Sequence, residues 1–186
     1  MFEQLTQLAQ QFGVDSVINN PSVPNDKNDA VIGEASNSVI SGLQKIVSEG
    51  GMDQLAGLFQ GNNAADSSNP VVQKLTQELS GNLGQKFGIS ANDASGVASK
   101  LIPQILSSLV GKAKDPNDSS FEISDIIGAI SGGGDNTGIM DAITKYGGQF
   151  GLDQNGDGKV DMSDAMEAVT KKGGGIGGML GGLFGK

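Results

Sequence analysis

Ser90-Ala91-Asn92-Asp93-Ala94-Ser95-Gly96-Val97-Ala98-Ser99-Lys100-Leu101-Ile102-Pro103-Gln104-Ile105-Leu106-Ser107-Ser108-Leu109-Val110 is the stretch that sets the fold class. Its apolar residues, from Ala94 and Val97 through Leu109 and Val110, recur at three- and four-residue intervals, the period of a helix face. Ser90 stands three residues before Asp93, the arrangement of a capping box with Asp in the acidic place. The stripe is wide, which predicts a central helix packed against several neighbours. Pro103 lies inside it, and a kink near 99–103 is expected there rather than a break.

Upstream, Pro70 suits a first helical position with Asn69 as its cap; Val72, Leu75, Leu79, Leu83 and Phe87 form the stripe and Gly88 ends it. Gly61 to Asn69 reads as an exposed polar linker after a short helix over 52–59, and Gly50-Gly51 closes the helix before that. That earlier helix, with apolar positions from Val31/Ile32 to Ile46/Val47, is expected to be capped by Asn25 or Asp26 and to run to about Glu49. Residues 2–12 form an amphipathic helix that Gly13 should stop, followed by a short segment, Val14 to Ile18, and a turn through Asn19-Asn20-Pro21. Downstream, Lys112 to Ser120 reads as a polar loop. Its Asp115, Asn117 and Asp118 lack the glycine and regular ladder of a cation loop, so they are expected to be solvated. Ile123, Ile126, Ile127 and Ile130 then form a short helix, with Ser124 or Ser120 near its cap.

Ser131-Gly132-Gly133-Gly134 opens a Gly-rich hinge over 131–136. The expected plan is therefore all-α. A compact multi-helix domain spans 1–130, a single helix-loop-helix unit spans 137–172, and a Gly-rich apolar tail spans 173–186.

The stretch that names a chemistry is Asp153-Gln154-Asn155-Gly156-Asp157-Gly158-Lys159-Val160-Asp161-Met162-Ser163-Asp164. Oxygen side chains stand at positions 1, 3, 5, 9 and 12, with Gly158 at the sharp turn of position 6. Calcium takes six to eight hard oxygen ligands at about 2.3–2.6 Å, and a twelve-residue loop with this ladder can wrap one ion. Asp153, Asn155, Asp157, Asp161 and Asp164 would ligate through side chains, Asp161 directly or through water, and Lys159 through its carbonyl. The stretch resembles an EF-hand calcium loop and is especially similar to the dockerin variant, which also carries Asp at position 12. The resemblance covers roughly 137–172 and implies flanking helices, here 138–150 and 163–172. Gly147-Gly148 weakens the entering helix, which is expected to order with the ion. EF-hands usually pair through their position-8 strands; this chain has no second loop, leaving Val160 unpaired.

The tail repeats every four residues, placing Ile176, Met179, Leu180, Leu183 and Phe184 on one helical stripe and Gly173, Gly177, Gly181 and Gly185 on another. Glycine costs a helix interior about 1 kcal/mol relative to alanine, so the tail should not be helical alone in water. As a helix it would be ~21 Å long, too short to span a bilayer. Three uses are open: association with a partner or another copy, packing on its own domain, or an interfacial anchor aided by Lys171, Lys172 and Lys186. The body and the Leu180-Gly181-Gly182-Leu183 texture resemble the uncharacterised YidB-like family of small bacterial proteins. That resemblance implies a bacterial origin and supplies no catalytic residue.

Composition narrows the function. The 186 residues contain no Cys and no His, and Lys accounts for all twelve Lys plus Arg, so thiol nucleophiles, imidazole bases and guanidinium clamps are missing. A non-enzymatic protein is expected; a carboxylate hydrolase has only abundant Asp behind it. Net charge is −9 and the isoelectric point about 4.3, which disfavours nucleic acid and anionic membranes. Neither a secretory signal nor a membrane span is legible, so cytoplasm is the default, with export by another route open. The expected function is calcium binding that orders the C-terminal unit and supports self- or partner association. The alternative is a peripheral membrane protein anchored by its tail.

Overall fold

The computed structural model describes residues 2–61, 63–115, 118, 120–121 and 123–130, and in the loop stretch 153, 155–156 and 164. The described residues are helical and contain no strand. Six α-helices occur among them: α1 (Phe2–Gly13), α2 (Asn28–Ser48), α3 (Met52–Gln60), α4 (Pro70–Phe87), α5 (Ala91–Lys114) and α6 (Ile123–Ile130). By compactness the chain divides into two units, Met1–Gly132 and Gly133–Lys186. The expected hinge at 131–136, the helices flanking the loop, and the 173–186 tail lie outside the described residues.

Local chemistry placed both ends of α4 and the start of α5 as expected. The Asn69 side-chain Oδ1 accepts from the Val71 N–H at 2.9 Å, with Pro70 opening α4 where a missing N–H costs nothing. Gly88 closes α4 at φ +68, a left-handed conformation that any side chain would strain, and the Lys27 ammonium donates to the last carbonyl, that of Phe87, at 2.9 Å. At the start of α5, Ser90 Oγ accepts from the Asp93 N–H at 3.3 Å and donates its proton to Asp93 Oδ2 at 2.6 Å. The hydroxyls of Ser90 and then Ser22 hold the Asp93 carboxyl below its ordinary range. Helix α5 continues through Pro103 to Lys114. Ser99, four residues earlier, is exposed, which leaves water able to satisfy the carbonyl that proline cannot.

Three stretches differ from expectation in detail. The α-helix ends at Gly13, but the chain does not leave helical backbone there and runs on as a π-helical turn (Val14–Ile18), closed by the Asn19 N–H on the Val14 carbonyl at 2.8 Å. Gly13 also permits close packing: a Cβ there would lie 3.2 Å from Ile32 Cγ1. The wider turn keeps Ser16 and Val17 buried while Val14 and Ile18 face outward. Neither Asn25 nor Asp26 caps α2. They belong to a 3-10 turn (Asn25–Lys27), and the position before α2 is Lys27, with no side-chain cap. Lys112 belongs to α5 rather than to the following loop.

Helix α2, not α5, is the hub of the first unit. It packs against α1, α3, α4, α5 and α6, whereas α5 packs mainly on α4 and α1. The buried stripes of α2, α4 and α5 include Val31, Val39, Leu43, Leu75, Leu79, Leu83, Leu101 and Ile105, each at most 1% exposed. A fully buried side chain of this size contributes about 1.5–3 kcal/mol. One edge of the antiparallel α2–α4 contact is polar. Lys86 pairs with Glu34 at 2.8 Å, Asn82 Nδ2 donates to Ser38 Oγ at 3.1 Å, Ser41 Oγ donates to Glu78 at 2.7 Å, and Lys74 pairs with Glu49 at 3.0 Å. Helix α6 joins through the Gln44 side-chain amide, which donates to the Ala129 carbonyl at 2.8 Å.

Candidate metal centre

The described part of the loop holds two backbone-to-carboxylate bonds. Asp153 Oδ1 accepts the Gly156 N–H at 2.6 Å, which turns the chain just after the first ligand position. Gly156 sits at φ +76, in the left-handed region where a Cβ costs about 1–2 kcal/mol. Asp164 Oδ1 accepts the Asn155 N–H at 3.1 Å, drawing position 12 back to position 3 across nine residues. Asp164 is helical and only 1% exposed, while Asn155 is exposed and Asp153 half-buried.

A buried carboxylate calls for positive charge or hydrogen bonds, and the Asn155 N–H supplies one of these. The residues present are hard oxygen donors, the chemistry that calcium and magnesium accept and that soft-metal sites do not use. The donor set therefore fits a hard divalent cation. Of the expected ligands, Asp153, Asn155 and Asp164 fall within one hydrogen-bonded loop. Asp157, Lys159 and Asp161, together with Gly158 and Val160, lie outside the described residues. Among the described residues alone, no three carboxylates are grouped to hold a metal.

Gly156 is the site residue that sequence reasoning passed over. Its signal is Asn155-Gly156, a turn dipeptide whose glycine favours positive φ.

In the stretch after α5, Asp118 is held by neighbouring groups rather than by solvent alone. Lys112 Nζ lies 2.6 Å from Asp118 Oδ2, and the Ser120 N–H and hydroxyl both donate to Oδ1. These contacts, Lys112 foremost, lower the Asp118 carboxyl from 3.8 to about 2. A shallow groove beside α4 and α5 is lined by Ser67, Gln73, Thr76, Gln77, Ser99 and Pro103, none of which is titratable. No described helix is long and apolar enough to cross a membrane.

Comparison of the chain with protein-family models, curated proteins and solved structures finds no match.

Proposed function

We propose that this is a non-enzymatic calcium-binding helical protein, whose C-terminal unit is ordered by one calcium ion and supports association with a partner or a second copy. The observation that carries the reading is the closure of Asp164 onto Asn155, which joins positions 3 and 12 of a ladder spaced for a twelve-residue calcium loop. Asp153, Asn155, Asp157, Asp161 and Asp164 hold the ion through side chains and Lys159 through its carbonyl. The ion neutralises carboxylates that would otherwise repel one another, so binding energy becomes folding energy for the unit around it. Association follows from the unpaired Val160 position and the apolar tail stripe, both of which need cover once the unit is ordered.

A calorimetric calcium titration of wild type and Asp153→Ala, with light scattering on the same samples, tests both halves. One-site binding that the substitution abolishes, with an increase in particle mass, is the expected result. Binding at constant mass would reduce the ion to a local staple. Absence of binding at millimolar calcium would overturn the reading.

A further inference from the structure

The outer face of α1 and of the π-helical turn after it is nearly free of charge, although the chain carries a net −9. From Gln4 to Val14 no residue is charged, and between Glu3 and Asp26 the sole charge is Asp15. Asp15 Oδ1 accepts from Asn19 Nδ2 at 3.4 Å. The exposed positions along this face are Gln7, Gln10, Gln11, Val14 and Ile18, spaced at helical intervals. Val14 and Ile18 are 45% and 44% exposed. Together with Phe2, at the start of α1 and off this stripe, they are the exposed large apolar side chains among the described residues. The turn buries Ser16 and Val17 on its inner side and presents Val14 and Ile18 on its outer side.

The chemistry of the face selects its occupant. Two copies of a chain with net charge −9 repel each other, so they can meet closely where carboxylates are absent. A two-fold contact sets one surface against the same surface of the other copy, and that surface must complement itself. A glutamine amide both donates and accepts, so Gln7, Gln10 and Gln11 can pair with their own kind around an apolar Val14–Ile18 centre. Their side chains make no hydrogen bond among the described residues. Depletion of charge at an apolar centre is also the composition of a protein–protein contact. A nucleic acid or a charged peptide would find no counter-charge on this face. We propose that the outer face of α1, continued through Ile18, is the contact of a two-fold symmetric pair of this chain. This inference is independent of the calcium reading, whose association surfaces are Val160 and the tail.

The experiment is sedimentation equilibrium of the full chain from about 1 to 300 μM, in EDTA and again in millimolar calcium, for wild type and Val14→Glu. In EDTA the wild-type mass should rise with concentration towards twice the 18.9 kDa of one chain. Val14→Glu places two carboxylates in the contact and should weaken pairing at least about tenfold, with helical circular dichroism unchanged. Should Val14→Glu fail to fold, Gln11→Glu, exposed on the same face, decides in the same way. Added sodium chloride should tighten the pair by screening the repulsion between copies. A wild type that stays monomeric in EDTA would overturn the inference, whatever calcium then does. So would pairing that Val14→Glu or Gln11→Glu leaves unchanged, which would put the contact elsewhere. Pairing that salt loosens would point to ion pairs and would overturn it too.

Discussion

Lys86 on α4 places its ammonium 2.8 Å from both carboxylate oxygens of Glu34 on α2, and Glu34 is buried while Lys86 is half-exposed. A buried carboxylate is tolerable only while its counter-charge stays. Lys86→Ala should therefore cost about 2 kcal/mol, more than an exposed ion pair is worth. Replacing both residues with leucine should recover most of that loss, because the stranded charge goes too. Urea unfolding of the single and double variants decides. A neutral Lys86→Ala would mean that another group compensates Glu34.

Two glycines of α2 should respond oppositely to the same change. A Cβ on Gly42 would lie 2.1 Å from Leu75 Cδ2, inside the core, whereas a Cβ on Gly33 would meet nothing within 4 Å. Alanine favours a helix interior by up to about 1 kcal/mol, and overpacking a core costs about 1–3 kcal/mol. Gly33→Ala should thus raise the melting temperature and Gly42→Ala lower it. Scanning calorimetry on the pair checks the close approach of α2 and α4.

Asp118 links stability to acid. Its carboxyl is lowered from 3.8 to about 2 by Lys112 and then Ser120, so folding favours the charged form. The resulting stabilisation is complete above the unfolded value and is lost as pH falls from 3.8 towards 2. Wild type should exceed Asp118→Asn in urea midpoint at about pH 6, and the gap should close by about pH 2. A gap independent of pH would show that the ion pair does not contribute through charge.

At the loop, Gly156→Ala must adopt φ +76 with a Cβ, a cost of about 1–2 kcal/mol. If ion binding requires this turn, apparent calcium affinity should fall about five- to thirtyfold. Gly156→Asn should lose less, because Asn tolerates the left-handed region. Calorimetry on both variants reads the difference, and equal affinity in all three proteins would place the turn outside the binding geometry.

The legible parts of this protein are those that short-range chemistry governs. Asn69 with Pro70, Ser90 with Asp93 and Gly88 each act within one turn, so their residue types alone predict both ends of α4 and the start of α5. Other features do not follow from residue type. The α-helix ends at Gly13, yet the chain runs on as a π-helical turn, and a Cβ at Gly13 would lie 3.2 Å from Ile32 Cγ1 of α2. Asn25 and Asp26 have capping side chains, yet the chain starts α2 after a 3-10 turn. In the loop, the spacing of oxygens was legible at once; the roles of Gly156 and of the Asp164 to Asn155 bond depend on backbone angles that spacing does not encode.

By itself the sequence determined an all-α first unit, the faces its helices bury and the register of a twelve-position ladder, because periodicity and turn chemistry are local properties. The tertiary structure alone decided which helix lies at the centre. The widest apolar stripe belongs to α5, yet α2 touches every other described α-helix, and at Gly42 the absence of a side chain leaves room for Leu75 of α4. It also decided which charges pair across space. Glu34 and Lys86 are 52 residues apart, and only the antiparallel packing of α2 on α4 brings them together.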